Sequence, residues 1–152
     1  MMQRMNFSTV APDGMAALVA VEAYLKKCGL DPKLAGLVKI RVSQINGCAY
    51  CLHMHTDEAE KRGESAARLY LLDAWRESNL YSPRERAALA WAESLTSIAV
   101  SHAPDDVYAD ARRQFSEKEL ADLSIAIVMI NAWNRLMIGV RSVHPAEQKK
   151  AA

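Results

Sequence analysis

Apolar positions recur at intervals of three and four along most of the chain, and strand-like alternation is scarce, which predicts an all-helical protein. A first helix is predicted from about Pro12 to Cys28, with Leu18, Val21, Leu25 and Cys28 on one stripe and Gly29 as its stop. Cys28 therefore reads as a core residue. Asp31-Pro32 supplies an N-cap and an N1 proline, and the apolar spacing then continues from Leu34 through Ile45 until Asn46-Gly47 ends it. The next helix opens at Cys48 and runs to Lys61 or Arg62, before Gly63. A shorter helix, about Ser65 to Leu72, leads into residues 73–78, where the pattern becomes irregular and a loose connection is expected. Two capping boxes follow. Ser82-Pro83-Arg84-Glu85 opens a helix through about Ile98, and Ser116-Glu117-Lys118-Glu119 opens one through about Arg141. Between them, Pro104-Asp105-Asp106 starts a short helix ending near Gln114.

The last helix is apolar on more than one face, with Leu120, Leu123, Ile125, Ile127, Val128, Met129, Ile130, Leu136, Met137 and Ile138. In a small domain the second face needs a cover, so a homo-oligomer is expected. Trp75, Trp91 and Trp133 read as core or interface aromatics, and Asn131 and Asn134 as hydrogen-bonding within the last helix.

The 152 residues fit one helical-bundle domain, with its core over about 34–142 and a polar tail, Glu147 to Lys150. Mixed charge, with 19 basic and 18 acidic residues, leaves no footprint for nucleic acid or an anionic membrane. The strongest apolar run, Leu123 to Ala132, is shorter than the roughly 20 residues that cross a bilayer. Met1 to Ser8 lack the apolar stretch of a signal peptide. A cytoplasmic protein is expected. In a reducing compartment three cysteines make a poor disulfide framework, so a close C-x-x-C pair points to redox chemistry or metal binding.

That pair lies in Gly47-Cys48-Ala49-Tyr50-Cys51-Leu52-His53-Met54-His55. Helical periodicity brings Cys48, Cys51 and His55 to one face, with Cys48 in the first turn at the positive end of the dipole. The nucleophile is a thiolate, and a helix N-terminus and a nearby imidazole both favour it. Cys51 and His55 stand at i and i+4, which makes Cys51 the attacking thiol, His55 its base and Cys48 the resolving thiol. The dipole argues for the reverse order. Tyr50 is a candidate for passing a proton, or an ordinary packing residue. His53 lies about 200° round the helix from Cys51 and reads as a surface or interface residue. A carboxylate that orients the imidazole comes from Glu58, on the same helix, or from Glu93, whose apolar surroundings demand a partner. Glu93 is preferred. Two bland readings stand beside this: a zinc site that lacks a fourth ligand, and a pair of buried cysteines without chemistry.

Arg41 through His55, then Glu58-Ala59, Gly63 and Arg86-Ala87-Ala88-Leu89-Ala90-Trp91-Ala92-Glu93, together resemble the alkyl hydroperoxidase D-like branch of the carboxymuconolactone decarboxylase superfamily. The resemblance extends over about 34–95. It implies an all-helical fold assembling as trimers or hexamers, and a dithiol–disulfide cycle that removes peroxides. By position, Cys51 would become the sulfenic acid, Cys48 would donate the proton and close the disulfide, His55 would act as base, and Tyr50 would fill the relay position. One departure stands out: the relay glutamate of the best-known members, twelve residues before the first cysteine, falls on Gly36. Glu93 is the expected substitute. The decarboxylase members act on a lactone without a C-x-x-C pair, so both cysteines argue against that activity.

The expected function is a thiol-dependent alkyl hydroperoxide reductase with an organic hydroperoxide substrate. No flavin, haem or nicotinamide motif is visible, so no cofactor is expected and an external dithiol or protein reductant resets the pair. The alternatives are a disulfide reductase serving a separate peroxiredoxin, and a non-enzymatic zinc-stabilised module.

Overall fold

The computed structural model describes residues 2–144 and residue 146; the polar tail lies outside the described residues. The helices are α1 (Phe7–Val10), α2 (Pro12–Leu25), α3 (Pro32–Asn46), α4 (Ala49–Lys61), α5 (Ala66–Tyr70), α6 (Pro83–Thr96), α7 (Ile98–Ser101), α8 (Asp105–Gln114) and α9 (Glu117–Val140), with a 3₁₀ segment at Leu72–Glu77. No strand occurs among the described residues, and the fold is all-α.

α3 organises the bundle by packing against α4, α6 and α9. Asp31 caps it by accepting from the Lys33 amide, and Pro32 occupies its first turn. Two apolar clusters flank it. One joins Leu34, Val38 and Val42 to Trp91, Phe115, Leu123, Ile127 and both Cys48 and Cys51. The other joins Leu37 and Ile40 to Leu69, Leu72, Trp75, Tyr81 and Leu89. The redox candidates thus sit in a packed interior.

The turn between α3 and α4 sets the site. Gly47 takes φ +68°, a left-handed conformation, and the Cys48 amide bonds back to the Ser43 carbonyl at 3.0 Å. The chain then turns sharply enough for Cys48 to cap α4. Gly47→Ala is expected to cost about 1 kcal/mol, because a Cβ there is strained although the space is open. Thermal melting should fall by about 2–4 °C; an unchanged midpoint would contradict the account of this turn.

Residues 73–78 are not the loose connection expected. Leu72 and Trp75 are buried, and Arg86 ties the segment down by donating to the Trp75, Arg76 and Ser78 carbonyls at 2.8–3.0 Å. The 3₁₀ period of three explains why the α-type pattern failed there. Cys28 is likewise no core residue: α2 ends at Leu25, and the half-buried Cys28 thiol donates to the Leu25 carbonyl at 3.2 Å. α6 stops at Thr96, short of the expected Ile98, and α7 follows as a separate turn.

α9 is long and apolar enough to cross a membrane by length and composition, which the run from Leu123 to Ala132 had not suggested. Its Leu123, Ile127 and Ile130 fill the core, as in a central helix of a bundle. Ile125, Val128 and Ile138 remain exposed in the single chain, as do Val19 and Tyr24 on α2.

Candidate active site

Cys48 is the N-cap of α4, with φ −87° and ψ 96°, and its sulfur accepts from the Cys51 amide at 3.4 Å. Cys51 lies one turn in, and the two sulfurs are 2.7 Å apart. Both residues are 1% exposed. The two sulfurs are thus in direct contact. The Cys51 S–H, the Cys51 amide and the Asn134 side chain draw the Cys48 thiol below its usual range against the opposing effect of burial. Cys51 moves up, because it donates to Cys48 and lies in low dielectric beside a negative sulfur. These directions favour ionisation of Cys48 over that of Cys51.

His55 is 6% exposed on the same face of α4. Burial, reinforced by the Lys39 charge, pushes its pKa below the ordinary value, while Glu58 opposes the shift. The imidazole is therefore neutral near neutral pH and available as a base. Its Nδ1 lies 3.2 Å from Glu58 Oε2; an Nδ1–H donating there leaves Nε2 as the free acceptor. Among the described residues no direct hydrogen bond joins His55 to Cys51, whose Cβ separation at i,i+4 is about 5–6 Å. A gap of this size has room for one bridging water.

The depressed His55 pKa also carries a stability consequence. Between the folded value and the ordinary 6.5 the unfolded chain binds more protons, so His55's contribution is present above pH 6.5 and lost as pH falls through the folded value. Denaturation at descending pH is expected to show this loss in the parent and to lack it in His55→Gln.

Glu93 does not meet His55. Its Oε1 accepts from Arg41 Nε at 2.7 Å and Trp75 Nε1 at 2.9 Å, and its Oε2 from Arg76 at 2.5 Å. Burial raises the carboxyl, but these three donors outweigh it and hold it below the usual range. The demand for a partner that marked Glu93 in the sequence is met by a cluster that braces α3 and the 3₁₀ segment against α6. Glu93→Gln is expected to cost about 2 kcal/mol of stability, with hydroperoxide chemistry changed less than tenfold. Loss of chemistry at unchanged melting temperature would return Glu93 to the site.

Tyr50 stands half-buried in the first turn of α4, packed beside the cysteine cluster. The His53 ring packs against that of His144, with centroids 5.5 Å apart. Among the described residues no three His, Cys, Asp or Glu side chains are grouped to hold a metal ion.

A model of the "Carboxymuconolactone decarboxylase family" matches residues 12–94. The chain belongs to that family. Within it, the chain is 42% identical over 140 residues to the uncharacterised protein YdfG of Bacillus subtilis, covering 92% of this chain and 95% of that one. A crystal structure from Agrobacterium tumefaciens, of unknown function and a candidate antioxidant defence protein AhpD, superposes with a TM-score of 0.92 at 40% identity, covering 95% and 99% of the two chains. The debrominase Bmp8 shares the fold, with a TM-score of 0.79 at 21% identity over 89% of this chain and 73% of that one. The chain is of the AhpD-like type.

Against the family pattern, Gly36 leaves open space rather than a clash, since a Cβ there would meet nothing within 4 Å. The charges that His55 feels come instead from Glu58, Lys39 and Glu22. Glu22, on α2, accepts from Lys39 Nζ at 3.1 Å and from Trp133 Nε1 at 2.9 Å. Sequence reasoning missed Glu22 and Lys39, and it missed a buried network of Ser43, Asn46, Asn131 and Asn134 that crosses from α3 to α9. The expectation for Asn131 and Asn134 stopped within their own helix. Within α9 stay the Asn131 bond to the Ile127 carbonyl and the Arg135 bond to Asn131 Oδ1.

Proposed function

We propose that the chain is a thiol-dependent alkyl hydroperoxide reductase. The observation that carries this reading is the pair of sulfurs 2.7 Å apart at the N-cap of α4, with the neutral His55 one turn beyond Cys51. Cys51 loses its proton to His55 and attacks the terminal peroxide oxygen. The S–O bond forms as the O–O bond breaks, leaving Cys51 sulfenic acid and an alkoxide that takes the proton from His55 to become the alcohol. The Cys48 thiolate then attacks the Cys51 sulfur and expels hydroxide, closing the disulfide. An external dithiol or protein reductant returns two electrons and two protons. Tyr50, half-buried against the cluster that holds both cysteines, is assigned the relay of protons. The deep burial of both sulfurs favours a small hydroperoxide as first substrate.

Exposed Ile125, Val128 and Ile138 support assembly with further copies, for which we propose a trimer or hexamer, and we place the protein in the cytoplasm. A second reading, disulfide reductase for a separate peroxiredoxin, draws support from the Cys48 thiolate, which suits thiol exchange. The test is turnover of an organic hydroperoxide with a small dithiol as reductant, with the alcohol quantified. Stoichiometric alcohol supports the reductase; turnover that needs an added peroxiredoxin supports the second reading; inactivity with tightly retained zinc would sink both.

A further inference from the structure

The buried amides beside the thiols have determined orientations, which follow from a chain of donors and acceptors. The Ser43 hydroxyl donates to the Lys39 carbonyl at 2.7 Å, so its oxygen can only accept from Asn134 Nδ2 at 3.1 Å. The Thr96 hydroxyl donates to the Ala92 carbonyl at 2.7 Å, so it too accepts, from Asn131 Nδ2 at 3.1 Å, while that nitrogen's other hydrogen goes to the Ile127 carbonyl at 3.0 Å. Asn131 Oδ1 and Asn134 Oδ1 then both accept from Asn46 Nδ2, at 3.0 and 2.9 Å. Asn46 has spent both its hydrogens, and neither Asn131 nor Asn134 can flip.

One N–H of Asn134 is left over. Asn134 is 0% exposed, so bulk water does not reach it, and a buried donor without a partner is costly. Asn134 is held by Ser43, whose carbonyl takes the Cys48 amide, and by Asn46, two residues before Cys48, and it favours the charged form of both thiols. We propose that Asn134 is a positioning residue that aims its second N–H at the cysteine pair, holding negative charge on Cys48 in the reduced pair and on Cys51 when His55 takes its proton during turnover. The part played in turnover rests on the hydroperoxide reading; the charge-holding role does not. A neutral donor fixed by Ser43 and Asn46 needs no rearrangement to serve either of two sulfurs 2.7 Å apart.

The test is the thiolate titration of the fully reduced protein, followed by ultraviolet absorbance, in the parent, Asn134→Leu and Ser43→Ala. Asn134→Leu removes the donor at nearly constant volume and is expected to raise the lower thiol titration by about one to two pH units. Ser43→Ala cuts the same network but leaves the N–H in place, so it lowers the melting temperature while moving the titration by less than about half a unit. Asn134→Ser replaces Asn134→Leu if the latter does not fold, with the same direction of shift expected. An unmoved titration in the Asn134 variants, or an equal shift in Ser43→Ala, overturns the proposal. The readout needs no peroxide, so a parent that fails to reduce hydroperoxides but shows the Asn134 shift would defeat the proposed function and leave this inference standing.

Discussion

Cys51→Ser is expected to consume organic hydroperoxide no faster than buffer does. A serine hydroxyl in the same buried position is far too weak an acid for His55 to ionise, and no second sulfur takes its place. Cys48 is the readier thiolate, but it caps the helix at i−7 from His55, two turns off, with no imidazole to hand a proton to the departing alkoxide. Rates from dithiol-coupled assays of the parent and the variant decide the matter. Retention of more than about a tenth of the parent rate would make Cys48 the attacking sulfur and reverse the order of the thiols.

His55→Gln should lower the hydroperoxide rate by about 10²–10⁴-fold near neutral pH. Cys51 holds its proton tightly because it donates to Cys48 and is buried, so its ionisation depends on a base within reach. In the parent, the rate rises with pH through the depressed His55 value and then levels, since the imidazole must be neutral to accept. In the variant that acidic limb disappears, and the remaining rate climbs only at alkaline pH as Cys51 ionises unaided. A pH–rate profile for each protein is the measurement, and an identical profile in the two would remove His55 from the chemistry. Glu58 has a smaller part, because its side chain is 43% exposed and shared with Arg62 at 3.7 Å.

The helices were legible because their signals are local. Asp31-Pro32, the two capping boxes and Gly47 each act within one turn of the chain, and the structure ends its elements at or beside them. The spacing of Cys48, Cys51 and His55 was legible for the same reason, since one helix sets it. What the sequence did not disclose depends on contacts between helices. Glu93 and Glu58 are both plausible partners for an imidazole on composition, and only the approach of Arg41, Trp75 and Arg76 commits Glu93 elsewhere. The 3₁₀ segment is held by Arg86 from α6, eight to eleven residues on, and no local period announces that. Asn131 and Asn134 were visible as polar residues three apart in an apolar helix. That they face Ser43, Asn46 and Thr96 depends on how α9 crosses α3 and α6.

The most direct measurement is the intact mass of reduced parent and Cys48→Ser protein after a stoichiometric pulse of organic hydroperoxide. The parent is expected to lose two hydrogens as the Cys48–Cys51 disulfide closes, and Cys48→Ser to gain one oxygen as the unresolved Cys51 sulfenic acid. No change in the parent would contradict the redox cycle, and an oxygen retained by the parent with no disulfide would contradict Cys48 as its resolving partner.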